Sequence, residues 1–428
     1  MQDTLIKQAV KEFKTPLYLY DSEKIAHQYL QLRQHLPQDI DIFYSLKANP
    51  LIGIAQILKQ LGASCEVCSL AELKLALHAG FAAQQIIFVG PGKSNEEIHA
   101  AINADIYAIV AESEDELHLI NAYAIAMQKK VDVLLRVNPN FSVSSAPLKM
   151  GGRASQFGFE MQALNKILVR RHNFSQINFK GMHIYNATRI LCANNFIENT
   201  RKILDLVDQI QKQHAWNCAC IDIGGGIGIA YHDDEKSFDI QAVSSKLHML
   251  VADYQKKYKR TRFILESGRF LVGESGILIS KVLATKTSHG KHFLITDAGM
   301  NCHFASSILG SVWHRNFPIQ LMQTSYPRVS QSQVYNISGP LCTPNDIVAK
   351  DITLTTAKKD DLIIISKVGA YGSSASLGRF LSHGYPAEVI YHQGRLNLVK
   401  RRENYQDIVN GQIKLPSYHL GEYKYASN

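Results

Sequence analysis

Short apolar, β-branched runs recur along the first 270 residues, separated by longer stretches with a polar face. The runs cover 41–46, 63–67, 85–89, 106–110, 131–137, 178–184, 218–223 and 262–265. Their near-continuous hydrophobicity is that of strands covered on both faces. Between them, segments such as 70–79, 114–128, 194–213 and 240–258 repeat their apolar positions at helical spacing. Eight strands alternating with helices predict an α/β fold, a (β/α)8 barrel over 31–270.

Beyond residue 270 the texture changes. Short β-rich runs at 276–284, 292–296, 334–337, 361–365 and 388–391 dominate, and helical periodicity is weak. This predicts a mostly β domain over 271–428. The segment 1–30, which precedes the first barrel strand, is expected to join it.

A barrel concentrates its chemistry at the carboxyl ends of its strands. The first strand runs into Lys47, the second ends at Glu66, and the third leads into Gly90-Pro91-Gly92-Lys93. The fifth carries Arg136 and Asn138, and the sixth ends in His183-Ile184-Tyr185. The seventh ends in Gly224-Gly225-Gly226-Ile227-Gly228 and the eighth in Glu266-Ser267-Gly268-Arg269. Glycine turns offer bare backbone N–H groups to a phosphate, most often in the loops after the seventh and eighth strands. Arg269 adds a guanidinium there. Lys47 at the end of a buried strand would be costly as an unpaired ammonium. A Schiff base removes that cost, and an ion pair with Glu66 is the plainer alternative. Glu266 could keep a pyridine nitrogen protonated, or could form a salt bridge with Arg269.

Composition adds exclusions. The chain is 46% hydrophobic and 19% charged, as in a soluble globular protein. No apolar run reaches membrane-spanning length, and the N-terminal stretch lacks the apolar core of a secretion signal, so no membrane association is expected. The seven cysteines have no framework spacing and read as reduced thiols of a cytoplasmic protein; Cys65 and Cys68 are expected on opposite faces of a strand. No metal-ligand or nucleic-acid motif is present. The formal charge of +9 is dispersed, with one dense cluster at Lys400-Arg401-Arg402. A solvated face is the ordinary reading, and an acidic protein partner the alternative.

These features, with the segments TPLYLYD (15–21), FYSLKAN (43–49), QFGF (156–159), GMHIYNAT (181–188), DIGGGIGI (222–229), ESGRFLV (266–272), GPLCTPND (339–346) and GAYG (369–372), resemble a known family. They are similar to the fold-type III pyridoxal-phosphate decarboxylases, the diaminopimelate and ornithine decarboxylase group, whose barrel is of the alanine-racemase kind. The resemblance covers nearly the whole chain. It implies pyridoxal 5'-phosphate as cofactor, loss of the α-carboxylate of an L-amino acid, and a homodimer with shared active sites. Lys47 matches the Schiff-base lysine. Gly224, Gly225, Gly226, Gly268 and Arg269 match phosphate ligands, as do Thr188, where the family has serine, and Tyr371. Glu266 matches the partner of the pyridine nitrogen, and Glu66 and Arg136 match cofactor-site residues. Cys342 matches a cysteine that enters the partner's site and can return a proton to the substrate carbon. Without the family it is a cysteine in a proline-flanked turn.

The sequence also departs from that pattern. Tyr185 stands where the family has a histidine stacked on the cofactor ring. Thr343 replaces the acidic residue that recognises a distal amine. The stretch 297–305, which includes His303, lacks the arginine that holds a distal carboxylate. These features resemble the subgroup that includes the decarboxylase of butirosin biosynthesis, which acts on a glutamyl group carried by an acyl carrier protein. The expected substrate is therefore an aminoacyl group tethered through its side chain, met by Thr343 and His303, with an acidic carrier suited to the positive charge. A free diamino acid such as diaminopimelate is the alternative. A racemase is a weaker one, since Glu266 stands where racemases place arginine, and a non-catalytic relative would not need Lys47.

Overall fold

Eight runs of alternating inward and outward apolar residues form the barrel. In the computed structural model, which describes residues 1–141, 148–149, 154–307, 309, 315–324 and 331–416, a strand β1 (Leu17–Asp21) precedes them. The barrel strands are β2 (Ile40–Ser45), β3 (Ser64–Val67), β4 (Ile86–Phe88), β5 (Ala108–Ala111), β6 (Val131–Asn138), β7 (Ile177–His183), β8 (Cys220–Asp222) and β9 (Arg262–Ser267). Each pairs in parallel with the next, and β9 returns to β2 with Glu266 opposite Phe43, which closes the ring. The predicted strands are all present, with ends shifted by a few residues.

The period-two alternation explains the continuous apolar runs. Phe43, Ile87, Ala108, Leu134, Cys220 and Ile264 fill one core inside the ring. Their neighbours Ile42, Tyr44, Ile86, Leu135, Ile221 and Leu265 belong to a second core shared with the helices outside. Two residues further along the inward-facing register the side chains become polar. Leu134 is followed by Arg136, Cys220 by Asp222 and Ile264 by Glu266, and all three polar residues are buried. The same register carries Glu66 on β3 and His183 on β7.

The second sheet contains β10 (Gly276–Ser288), β11 (Lys291–Thr296), β12 (Ile319–Met322), β13 (Ser332–Ser338), β14 (Ile347–Thr355), β15 (Leu362–Ser366), β16 (Ala387–His392) and β17 (Arg395–Lys400). Its order is β14-β13-β11-β10-β1-β16-β17, with β15 joined to β10 and β12. β1 is therefore an interior strand, antiparallel to β10 and parallel to β16. Three strands, β12, β14 and β17, exceed the five runs expected. β14 is interrupted by exposed Lys350 and Asp351, and β17 has only exposed and half-exposed positions, so neither reads as a buried run.

The basic cluster near the C-terminus is engaged within the chain. Lys400 pairs with Glu388 at 2.9 Å, Arg401 grips Asp407 with both terminal nitrogens, and Arg402 donates to the carbonyls of Phe13 and Lys14. All seven cysteines are free, and Cys65 and Cys68 face opposite sides of β3. Among the described residues no helix is long and apolar enough to cross a membrane.

Candidate active site

The inward polar register opens into a cavity of about 430 Å³ at the carboxyl ends of the strands. Lys47 follows directly on β2. Its amine lies 2.5 Å from Glu66 Oε1 and 5.9 Å from the centre of the Tyr185 ring. The side chain keeps 36% of its surface accessible, and the surface it faces is the cavity wall. Burial alone would push the Lys47 amine down. Glu66 foremost, with Cys68, Glu266 and Tyr185, holds it well above the usual lysine range. The ion pair that the sequence left open is thus present, and it sets a protonated amine beside its own proton acceptor.

Glu266 meets a different partner from the arginine three residues on. Its Oε1 is 3.1 Å from His183 Nε2, and both side chains are buried. Burial alone would raise the Glu266 carboxyl. The charge and hydrogen bond of His183, with Lys47 and Arg136, hold it below the ordinary carboxylate range. Arg269 instead donates to the Tyr231 hydroxyl at 2.6 Å and stacks on Tyr371, 4.6 Å from the ring centre. The turn carrying Tyr371 is pinned by its own N–H, which donates to the Ala48 carbonyl beside Lys47 at 2.7 Å.

The glycine turn after β8 does not open a helix directly; an irregular loop separates it from the helix Ile240–Lys257. Any anion-binding capacity it has rests on turn amides rather than on a helix end. A Cβ on Gly225 would lie 1.8 Å from the Glu266 carbonyl oxygen, and one on Gly226, at φ +86°, 2.1 Å from the Ala187 carbonyl oxygen. Only glycine permits this approach. Gly224 is held by its N–H donating to Asp222 Oδ1 at 2.8 Å.

Asp222 itself is fully buried, with Oδ2 lacking a partner among the described residues. Burial, then the nearby Glu266 charge, pushes its carboxyl well above the usual range. Between the unfolded and the folded pKa the native state binds more protons than the unfolded chain, and stability falls as pH rises through that window. Asp222→Asn, which keeps the acceptor for Gly224 and is neutral throughout, is expected to flatten this part of the apoprotein's stability-versus-pH curve in urea denaturation at several pH values. An unchanged slope would show Asp222 to be ionised.

The other residues singled out in the sequence divide into two groups. Arg136, Thr188 and Tyr185 border the cavity with Lys47, Glu266, Arg269 and Tyr371, while Glu66 and Gly224, Gly225 and Gly226 stand behind that lining. Burial foremost pushes the Tyr185 hydroxyl up to about 12, so it is neutral. Cys342 is exposed, Thr343 is half-buried, and neither borders the cavity within one chain. His303 is buried edge-on against Phe317, 4.8 Å between ring centres, and burial pushes it down to about 4. The segments holding His303 and Cys342 are nonetheless joined. Asp346 accepts the N–H groups of Met300 at 2.7 Å and Leu341 at 2.8 Å.

Two cavity residues, His183 and Cys68, and the buried Asp222 behind them carry no role that sequence reasoning could assign. Cys68 reads as an ordinary thiol, yet it borders the cavity with its sulfur 3.2 Å from Glu66 Oε1 and 3.7 Å from the Lys47 amine. The signal that could have found His183 and Asp222 is register. Each is the last inward position of its strand, as are Glu66 and Glu266.

The donor set fits the expected cofactor. Buried polar atoms rarely go unpaired, but among the described residues Glu66 Oε2, His183 Nδ1, Asp222 Oδ2 and Arg269 Nε do so around this one rim. A guanidinium beside bare glycine amides suits a phosphate, a lysine amine an aldehyde, and a buried carboxylate a pyridinium. Fold and site together define a pyridoxal-phosphate-binding barrel enzyme.

Residues 22–273 match the family model described as "Pyridoxal-dependent decarboxylase, pyridoxal binding domain". The chain is 37% identical over 413 residues to the L-glutamyl-[BtrI acyl-carrier protein] decarboxylase of Niallia circulans, covering 95% of this chain and 96% of that one. It is 30% identical over 411 residues to the diaminopimelate decarboxylase of Aquifex aeolicus, covering 96% and 94%. The structure of diaminopimelate decarboxylase from Helicobacter pylori complexed with L-lysine superposes with a TM-score of 0.85 at 27% identity, covering 95% and 98%. The chain belongs to the pyridoxal-dependent decarboxylases of fold type III. Its cofactor is pyridoxal phosphate, and it is a carboxy-lyase.

Proposed function

We propose that the substrate is an L-aminoacyl group tethered through its side chain to an acidic carrier protein, with its α-amine and α-carboxylate free. The observation that carries this is the chemistry at Thr343 and 297–305. Thr343 offers no charge to a distal ammonium, and 297–305 holds no arginine for a distal carboxylate. The similarity to a decarboxylase of a carrier-bound glutamyl group supports it. The similarity to diaminopimelate decarboxylases favours a free diamino acid as the second reading.

The residues divide the work. When bound, pyridoxal phosphate supplies the electron sink for the pair left as the α-carboxylate departs as CO2. Gly224, Gly225, Gly226, Gly268, Arg269, Thr188 and Tyr371 would hold the phosphate, and Arg136 lines the same cavity. Glu66 takes the proton that Lys47 must shed before its amine can attack, across 2.5 Å. Glu266, held below the ordinary carboxylate range by His183, would be the partner that keeps a pyridine nitrogen protonated. Tyr185, a neutral aromatic on the cavity wall, would supply the stacking surface that the family takes from histidine. Cys342, exposed on one subunit, returns a proton to the substrate carbon in its partner's site, so the working unit is a homodimer. The barrel domain spans 31–270 and the β domain 271–428 with 1–30. The free cysteines suit a reducing cytoplasm.

Decarboxylation assays with carrier-linked glutamate and with free diaminopimelate, ornithine and lysine separate the readings. Carrier-linked glutamate is expected to be turned over with a kcat/KM at least about tenfold above any free amino acid, the kind of difference one or two lost charged contacts produce. Efficient turnover of free diaminopimelate alone would replace the tethered reading with the second.

A further inference from the structure

We propose that Glu112 is a positioning residue of this active site, setting the Arg136 guanidinium and the cavity wall on either side of it. The proposal rests on the pyridoxal-phosphate reading of the cavity and adds the group that shapes its wall away from Lys47.

Glu112 follows β5 directly and is buried, with a side chain 1% exposed. Three donors from separate parts of the chain, one on β6, one after β4 and one in the loop after β6, converge on its carboxylate. Oε1 accepts from Arg136 Nη1 at 2.7 Å and from the Gly90 N–H at 3.1 Å, and Oε2 accepts from the Gly158 N–H at 3.1 Å. Each donor belongs to the wall. Arg136 borders the cavity, Gly90 does so between Val89 and Pro91, and Gly158 follows Phe157, over whose ring Arg136 stacks at 4.5 Å. Gly158 has φ +68°, and a Cβ there would lie 2.8 Å from the Arg136 carbonyl oxygen, so that loop is fitted tightly to β6.

Glu112 is fixed from behind. Its N–H donates to Glu116 Oε2 at 2.9 Å, and Glu116 Oε1 pairs with Lys93 at 2.7 Å. Lys93, 1% exposed, also donates to the carbonyls of Gly90 and Val110, each at 2.7 Å. The lysine of the Gly90–Lys93 turn therefore serves the scaffold and does not face the cavity. Two cations and two carboxylates close a buried, charge-balanced chain that ends on Arg136. A carboxylate with three donors in fixed directions leaves the guanidinium one orientation, and a group so held can meet an anionic oxygen of the cofactor or substrate without rearranging.

The test is a double-mutant cycle on cofactor affinity, read by quenching of apoprotein fluorescence on titration with pyridoxal phosphate, with the melting temperature of each apoprotein measured alongside. Glu112→Gln is expected to weaken binding at least tenfold. Glu112→Asp, which keeps the charge, should recover to within threefold of the wild type. Combined with Arg136→Met, Glu112→Gln should add less than a twofold further loss, because its effect passes through Arg136. Wild-type affinity in Glu112→Gln would overturn the proposal, as would losses that multiply in the double variant. If Glu112→Gln does not fold, Glu112→Asp decides the matter, alone and in the Arg136→Met background: losses there that multiply overturn the proposal, and losses that do not support it. The readout needs no decarboxylation substrate, so it is independent of whether the tethered-substrate reading holds.

Discussion

Lys47→Ala is expected to lower decarboxylation by on the order of 10³-fold or more, the scale at which a catalytic amine matters, and to leave the purified protein without the visible absorbance of covalently held cofactor. The decisive companion is Lys47→Arg. The ion pair with Glu66 at 2.5 Å gives Lys47 a purely structural alternative role, and arginine preserves a charge for Glu66 while its guanidinium cannot shed a proton to attack an aldehyde. If pairing were the function, Lys47→Arg would retain most activity. If the amine is the attachment point, both variants lose activity together, and borohydride reduction of the wild type followed by peptide mapping places the label on Lys47. Retention of activity in Lys47→Arg would overturn the assignment outright.

Glu266→Gln is expected to lower kcat by about 10²- to 10³-fold, the usual effect of removing one preorganised charge from a buried site, with KM changed only a few-fold. Glutamine keeps the shape and can still meet His183, so the loss isolates the charge. The wild-type pH profile carries the same information. Because His183 and its neighbours offset burial and hold the Glu266 carboxyl below the ordinary range, the carboxylate is ionised through neutral and mildly acid pH. An acid limb caused by Glu266 must therefore lie below that range and vanish in Glu266→Gln. A limb at higher pH that survives the substitution belongs to another group. Wild-type kcat in Glu266→Gln would remove the carboxylate from the chemistry.

The barrel was legible because strands buried on both faces write themselves as uninterrupted apolar runs. The second sheet was legible only in part, since β14 carries its exposed Lys350 and Asp351 mid-strand and β17 is scarcely buried. Lys47, Glu266 and the glycine turns could be placed on the rim from strand ends alone. What a strand end cannot tell is which neighbour a side chain meets. Glu266 looks paired with Arg269 by spacing, and β9 and β7 bring it to His183 instead. Glu112 is invisible for the same reason: its three donors come from residues 90, 136 and 158, and nothing in one chain segment marks their convergence. Cys342, Thr343 and His303 enter through family resemblance, and a single chain does not bring them to the cavity.

The interior position of β1 has a consequence for the order in which the molecule can be made. Leu17–Tyr20 leaves the ribosome early, but its neighbours arrive with residues 276–279 on one flank and 387–390 on the other. The barrel's closing pair, β9 on β2, is complete once residue 267 has emerged. Until residues 387–390 emerge, the barrel can be shut while an apolar Leu-Tyr-Leu-Tyr strand still has a bare edge, the condition that invites mispairing with another chain. Translation speed and chaperone supply across the last third of the chain should therefore govern the yield of soluble protein more than any property of the catalytic half.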